Sequence, residues 1–174
     1  VTPSDVERFL IQFDAQPHYR NPLVNLIPER PVLEVQKRYL TVEEIKILFE
    51  STKNPMESAI FKVFYYGGLR LNELVQLTWT QVSEREDGRA QLSLLGKGKR
   101  RREVLLPKAA SESLLALKDN AEQDAFVFRT SKDPNTALNS VTIHRLVKTV
   151  VKRAGITKPV SAHWLRHAHA SHAI

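Results

Sequence analysis

The sequence predicts an α+β chain, predominantly helical, with one small three-stranded antiparallel sheet. Three observations predict it. Apolar residues recur at helical spacing from Val42 to Leu77 and again from Lys108 onward, the period falls to two between Trp79 and Pro107, and turn signals stand inside that interval at Asp87-Gly88 and Gly96-Lys97-Gly98-Lys99. At 174 residues the chain can bury one main core. It contains no cysteine, so disulfides, thiolate metal sites and a cysteine nucleophile are excluded, and stability has to come from packing.

Residues 1–38 hold Pro3, Pro17, Pro22, Pro28 and Pro31, leaving only short stretches such as Asp5–Phe13 for helix, and read as a linker or the tail of another domain. Regular patterning begins at Leu40. Thr41 followed by Glu44 forms a capping box for a helix over Val42–Glu50. A second helix, from about Pro55 to Tyr66, has Ile60, Val63 and Phe64 inward, and Gly67-Gly68 supplies a positive-φ ending. A third runs from about Arg70 to Leu77, with Leu71, Leu74, Val75 and Leu77 toward the core and Arg70 and Glu73 on another face. Three antiparallel strands fill Trp79 to Pro107. Helical pattern resumes over Lys108–Leu117, and a short apolar run, Phe126-Val127-Phe128, leads into turn material at Ser131–Asn135. Asn139 or Ser140 caps a helix that ends at Gly155, and Ser161 caps the last one.

The net charge is +7, and its distribution says more than its sum. Residues 1–38 carry five bases and five acids, so the whole surplus lies in residues 39–174, with 21 bases against 14 acids. Residues 96–108 hold six bases and one acid, and residues 134–174 six bases and no acid. Two basic patches of this kind attract polyanions, because each Lys or Arg beside a nucleic-acid phosphate releases a condensed counterion. The plain alternative is a solvated surface. No run of about 18 apolar residues is long enough to span a bilayer, and no charged-then-apolar leader opens the sequence, which reads as soluble and intracellular.

Chemistry concentrates in three segments. In Gly67-Gly68-Leu69-Arg70-Leu71-Asn72-Glu73-Leu74 the glycine pair lets a helix restart at once and present Arg70 at its beginning. A guanidinium and a helix N-terminus both favour anions, and Glu73, one turn on, can hold Arg70 in place. An ordinary exposed ion pair is the competing reading. Gly96-Lys97-Gly98-Lys99-Arg100-Arg101-Arg102 is a glycine-rich hairpin tip with Lys97 placed to donate a proton to a leaving oxygen and Lys99, Arg100, Arg101 and Arg102 placed to follow a DNA groove. Here a solvated turn competes. In Ser161-Ala162-His163-Trp164-Leu165-Arg166-His167, His163 and Arg166 are three apart and share a helical face, about 5–6 Å between Cβ atoms. Arg145, Lys148 and Lys152 recur at helical spacing on the preceding helix, a further DNA-backbone candidate, with Val147, Val150 and Val151 inward.

His163 and His167 also have the i, i+4 spacing of zinc-binding helices, with His169 and His172 beyond them. The residue after the first histidine is Trp164 where a zinc peptidase places its glutamate, and Arg166 would repel a metal ion. Zinc is therefore not expected at these histidines.

Arginine with glutamate, hairpin lysine, then His-x-x-Arg, in that order, resemble the tyrosine recombinase or phage integrase catalytic domain. The likeness runs from about Tyr39 to Ile174 and includes Leu40-Thr41-x-Glu43-Glu44, Gly-Leu-Arg-x-x-Glu-Leu, Gly-Lys-Gly and His-x-Leu-Arg-His. It implies the DNA breaking-rejoining fold, with residues 1–38 as the end of an N-terminal DNA-binding domain. It also implies a cofactor-free and metal-free transesterification on double-stranded DNA, in which a tyrosine attacks a phosphodiester to give a 3′-phosphotyrosine, and a cytoplasmic bacterial protein working at the nucleoid and self-assembling on DNA. By the same likeness Arg70 and Arg166 hold the non-bridging oxygens, Lys97 protonates the leaving 5′-oxygen, His163 assists, and Glu73 and His167 support. Tyr19, Tyr39, Tyr65 and Tyr66 all precede the hairpin, where the family places no nucleophile. The expectation is therefore a chain truncated before its nucleophile and inactive alone. A non-catalytic DNA-binding or regulatory protein on the same scaffold is the alternative.

Overall fold

The computed structural model describes residues 40–96, 101–131, 133 and 135–172. Helix α1 (Val42–Glu50) opens on a reciprocal cap, in which the Thr41 hydroxyl accepts from the Glu44 N–H at 3.2 Å and the Glu44 carboxylate accepts from the Thr41 N–H at 2.8 Å. Helix α2 (Pro55–Gly67) starts with Asn54 Oδ1 accepting from the Glu57 N–H, and Pro55 sits where its missing N–H costs nothing. Ala59, Ile60, Phe61, Val63 and Phe64 of α2 are all buried. A helix apolar over so much of its circumference has to be enclosed. It is the hub of the fold, touching α1 and the helices over Lys108–Leu115 and Ala162–His172.

Gly68 ends α2 in the left-handed region, φ 53° and ψ 35°. Helix α3 covers only Leu71–Val75, shorter than the predicted 70–77 at both ends. Arg70 is extended (φ −77°, ψ 153°) and serves as the N-cap, while Leu77 lies past the helix with its carbonyl accepting from the Val127 N–H at 2.8 Å. A backbone acceptor committed to the 126–128 segment is unavailable to a further helical turn.

A 3₁₀ turn at Trp79–Gln81 leads into β1 (Val82–Glu84), β2 (Ala90–Leu95) and β3 (Arg101–Leu105), antiparallel in the order β1-β2-β3. Val82 pairs with Leu92, and Leu92 with Val104, so one face of the sheet carries the apolar residues; Ala90, Leu92 and Leu94 are buried. The first turn lies at Asp87-Gly88 as predicted, with Gly88 at φ 75°. The second predicted turn falls largely on residues 97–100, outside the described residues, as do the linker and the short helix expected within residues 1–38.

Helix α4 (Lys108–Leu115) is pinned to the sheet by buried Ser111, whose hydroxyl accepts from the Ala90 N–H at 2.8 Å. Helix α5 (Ser140–Arg153) is capped by Asn139, Oδ1 accepting from the Thr142 N–H, and buries Ile143, Val147, Val150 and Val151. The left-handed Gly155 (φ 69°) follows it, and α6 (Ala162–His172) buries Ala162, Leu165 and Ala168. Arg153 ties α5 back to α2, donating to the Ser51 carbonyl at 2.7 Å and to Glu57 at 2.9 Å. Among the described residues no helix is long and apolar enough to cross a membrane.

Candidate functional site

The site is built where α2 stops. A Cβ on Gly68 would stand 2.5 Å from the His169 ring as well as in the left-handed region, so glycine is required there on two counts. Two residues on, Arg70 projects with its side chain 53% exposed. Glu73, only 11% exposed, accepts from the Arg70 N–H at 2.7 Å and from its Nη1 at 2.8 Å, so backbone and guanidinium are both fixed by one carboxylate. Its other grip is Arg102 on β3, whose Nη2 lies 2.6 Å away. Burial pushes the Glu73 pKa up, but the hydrogen bonds and charges of Arg70 and Arg102 outweigh it, and Glu73 titrates below the usual glutamate range.

Helix α6 brings the third guanidinium. Arg166 Nη1 donates to the Gly68 carbonyl, on the turn that carries Arg70. Burial, then the charges of Arg70 and Arg102, loosen the Arg166 proton relative to a free guanidinium, with Glu73 opposing. An arginine does not discharge on that account. Positive charges from the Arg70 turn, β3 and α6 thus lie around the Glu73 carboxylate, which pairs with Arg70 and Arg102. Such an excess of positive charge is relieved by an anion, and guanidiniums are matched in shape to phosphate. The buried Arg102 Nε finds no acceptor among the described residues.

Of the residues predicted from sequence, Arg70, Glu73 and Arg166 are thus brought into one electrostatic group. His163 and His167 are exposed on α6, their rings edge to face with centroids 4.4 Å apart. Arg101 is exposed at the start of β3, and Arg145, Lys148 and Lys152 are exposed along α5. Lys97, Lys99 and Arg100 lie outside the described residues. Arg102, read from sequence as one of a run of DNA-contacting bases, is paired with Glu73. Strand alternation is the signal for this, because β3 exposes residues 101, 103 and 105 and turns 102 and 104 inward.

Sequence reasoning gave no role to His169 or Tyr65. His169 lies against Gly68 and is hydrogen-bonded to the backbone of Tyr65, and the Tyr65 hydroxyl is 2.8 Å from His172 Nδ1. The three-residue step from Arg166 to His169 and His172 was the available signal. Among the described residues, no three of His, Asp and Glu are gathered so as to hold a metal ion.

The fold is shared with solved recombinases. The crystal structure of XerA recombinase superposes with a TM-score of 0.67 at 26% identity, covering 99% of this chain and 69% of that one. The XerH site-specific recombinase bound to its difH substrate gives 0.66 at 23% identity, over 78% of this chain and 43% of XerH, a likeness of fold. In sequence, the chain is 31% identical over 160 residues to a tyrosine recombinase of Thermosipho africanus, covering 90% of this chain and 54% of that protein. It is 32% identical over 138 residues to the tyrosine recombinase XerC of Xanthomonas axonopodis pv. citri, covering 75% of this chain and 43% of XerC. The chain thus spans about half the length of these curated relatives. These likenesses define its class, a tyrosine recombinase catalytic domain. Residues 38–174 match the model of the phage integrase family, and the chain belongs to that family.

Proposed function

We propose that this chain binds double-stranded DNA and holds one scissile phosphodiester for attack by a tyrosine, in a site-specific recombination or integration reaction that conserves bond energy through a 3′-phosphotyrosine. The observation that carries the reading is that Arg166 of α6 donates to the carbonyl of Gly68, two residues before Arg70, so that two arginines far apart in sequence are tied to one turn. Their guanidiniums would bind the two non-bridging oxygens and stabilise the charge that grows on them in the pentavalent transition state. Glu73 keeps Arg70 in place. Lys97 protonates the departing 5′-oxygen, His163 hydrogen-bonds the phosphate and assists proton transfer, and His167 supports Arg166. Lys99, Arg100, Arg101 and the α5 residues Arg145, Lys148 and Lys152 contact the DNA backbone, Arg102 acting through Glu73. No metal is assigned a step. Residues 1–38 belong to the linker and the end of a separate DNA-binding domain, and copies of the protein assemble on DNA.

The nucleophile is assigned to none of Tyr19, Tyr39, Tyr65 and Tyr66. Burial, with a smaller effect of Tyr66, raises the Tyr65 pKa, the reverse of what an attacking phenolate needs, and the hydroxyl lies 2.8 Å from His172 Nδ1 in the seam between α2 and α6. Tyr66 packs against Phe49 and Tyr65. On this reading the chain by itself grips DNA without cutting it.

The test offers nicked suicide duplexes to a longer protein that carries this chain and a downstream tyrosine, and scores the covalent protein–DNA adduct. Arg70→Ala and Arg166→Ala should each cut adduct formation by about 10²–10³-fold with folding retained. Normal adduct formation by both variants would refute the site assignment. DNA binding with no adduct would favour a regulatory protein on this scaffold.

A further inference from the structure

Helix α6 meets the end of α2 along a seam of residues three apart. Arg166 donates to the Gly68 carbonyl. One turn on, the His169 ring lies so close to Gly68 that a Cβ there would stand 2.5 Å from Cδ2 and 2.9 Å from Nε2, and the ring is hydrogen-bonded to the Tyr65 backbone. A further turn on, His172 Nδ1 meets the Tyr65 hydroxyl at 2.8 Å. Gly68 is therefore held from one side by a flat ring and through its carbonyl by Arg166, two residues before Arg70.

We infer that His169 is a positioning residue for the phosphate site, fixing the Gly68 turn so that Arg166 and Arg70 address the same phosphate; this rests on the reading of the site given above. Its ring fits because it is flat against a glycine that has no side chain, and because its nitrogen engages the Tyr65 backbone while staying uncharged. Burial and the nearby charge of Arg166 hold its pKa below the ordinary histidine value despite that hydrogen bond. An apolar residue of similar bulk would fill the space but would lose the nitrogen that ties α6 to the end of α2.

The experiment uses the 174-residue chain with inorganic phosphate as the probe. Phosphate affinity is read from the arginine side-chain ¹⁵Nε signals, those of Arg70 and Arg166 being assigned through Arg70→Lys and Arg166→Lys. In the unsubstituted chain both signals should shift saturably with phosphate. His169→Leu, which keeps bulk and helix propensity, should weaken phosphate binding about five- to tenfold and broaden the Arg166 signal, with the melting temperature little changed. His169→Gln, which retains a flat donor, should restore affinity to within about twofold. If His169→Leu does not fold, His169→Phe takes its place and should show the same loss. Equal phosphate affinity and an unchanged Arg166 signal in the folded apolar variant would overturn the positioning role while leaving the phosphate site intact. Failure of either arginine to respond in the unsubstituted chain would overturn both.

Discussion

At the scale of single residues, Glu73 organises more of the site than any other group. It accepts from Arg70 twice and from Arg102 once, so replacing it leaves two guanidiniums facing each other and Arg166 without the intervening negative charge. Glu73→Gln is expected to destabilise the fold by about 1–3 kcal/mol, the range for a charged hydrogen-bonding group removed from partly buried partners. Urea titration against the unsubstituted chain measures it; a change within error would mean that the three contacts are solvent-screened and energetically idle. The sequence showed the Arg70–Glu73 half of this arrangement because the two lie one helical turn apart. It did not show Arg102 as a partner, because that contact joins residues 29 apart through the register of β2 on β3. His169 was hidden for the same reason: its neighbours belong to a helix a hundred residues earlier.

At the scale of elements, local chemistry and outcome agree closely wherever the signal is itself local. Thr41 with Glu44, Pro55, Asn139 and the two left-handed glycines at 68 and 155 mark helix ends that the structure reproduces. The disagreements arise where tertiary contacts intervene. Helix α3 stops at Val75 because Leu77 and Thr78 bridge to the 126–127 segment, and α4 stops at Leu115. Gly68 is the element junction with the sharpest consequence. Gly68→Ala combines a left-handed alanine with a methyl group driven into the His169 ring, and should cost roughly 2 kcal/mol or more, seen as a lower thermal midpoint by circular dichroism. Gly155 is also left-handed but has nothing within 4 Å of a built Cβ. Gly155→Ala is therefore the control, and the difference between the two substitutions isolates the contact with His169. If both lose the same stability, the His169 ring does not bear on the turn.

At the scale of the whole molecule, long-range ion pairs carry a pH dependence. Burial opposes ionisation of Glu44, Glu57 and Glu73, yet pairing with Lys158, with Arg153, and with Arg70 and Arg102 leaves each titrating below the usual glutamate range. A pKa lower in the folded than in the unfolded state means that the unfolded chain takes up protons first as the pH falls. The stability these groups supply is therefore complete above the ordinary glutamate pKa and is lost as the pH drops through their folded values. Thermal midpoints at constant ionic strength from pH 7 to pH 3 should decline steeply in the lower part of that range. Glu57→Gln should give a shallower decline; an identical curve would show that the Arg153 bridge contributes no such linkage.

The seam between α2 and α6 has a last consequence, for the time at which the protein becomes competent. Gly68 and Arg166 are separated by 98 residues, and Tyr65 and His172 by 107. During synthesis Gly68 is made 98 residues before Arg166, so until α6 follows its carbonyl lacks that donor. On the proposed reading of the site, the grip on a phosphate is completed in one step, when α6 leaves the ribosome and docks, so a translation product interrupted before α6 carries half of it.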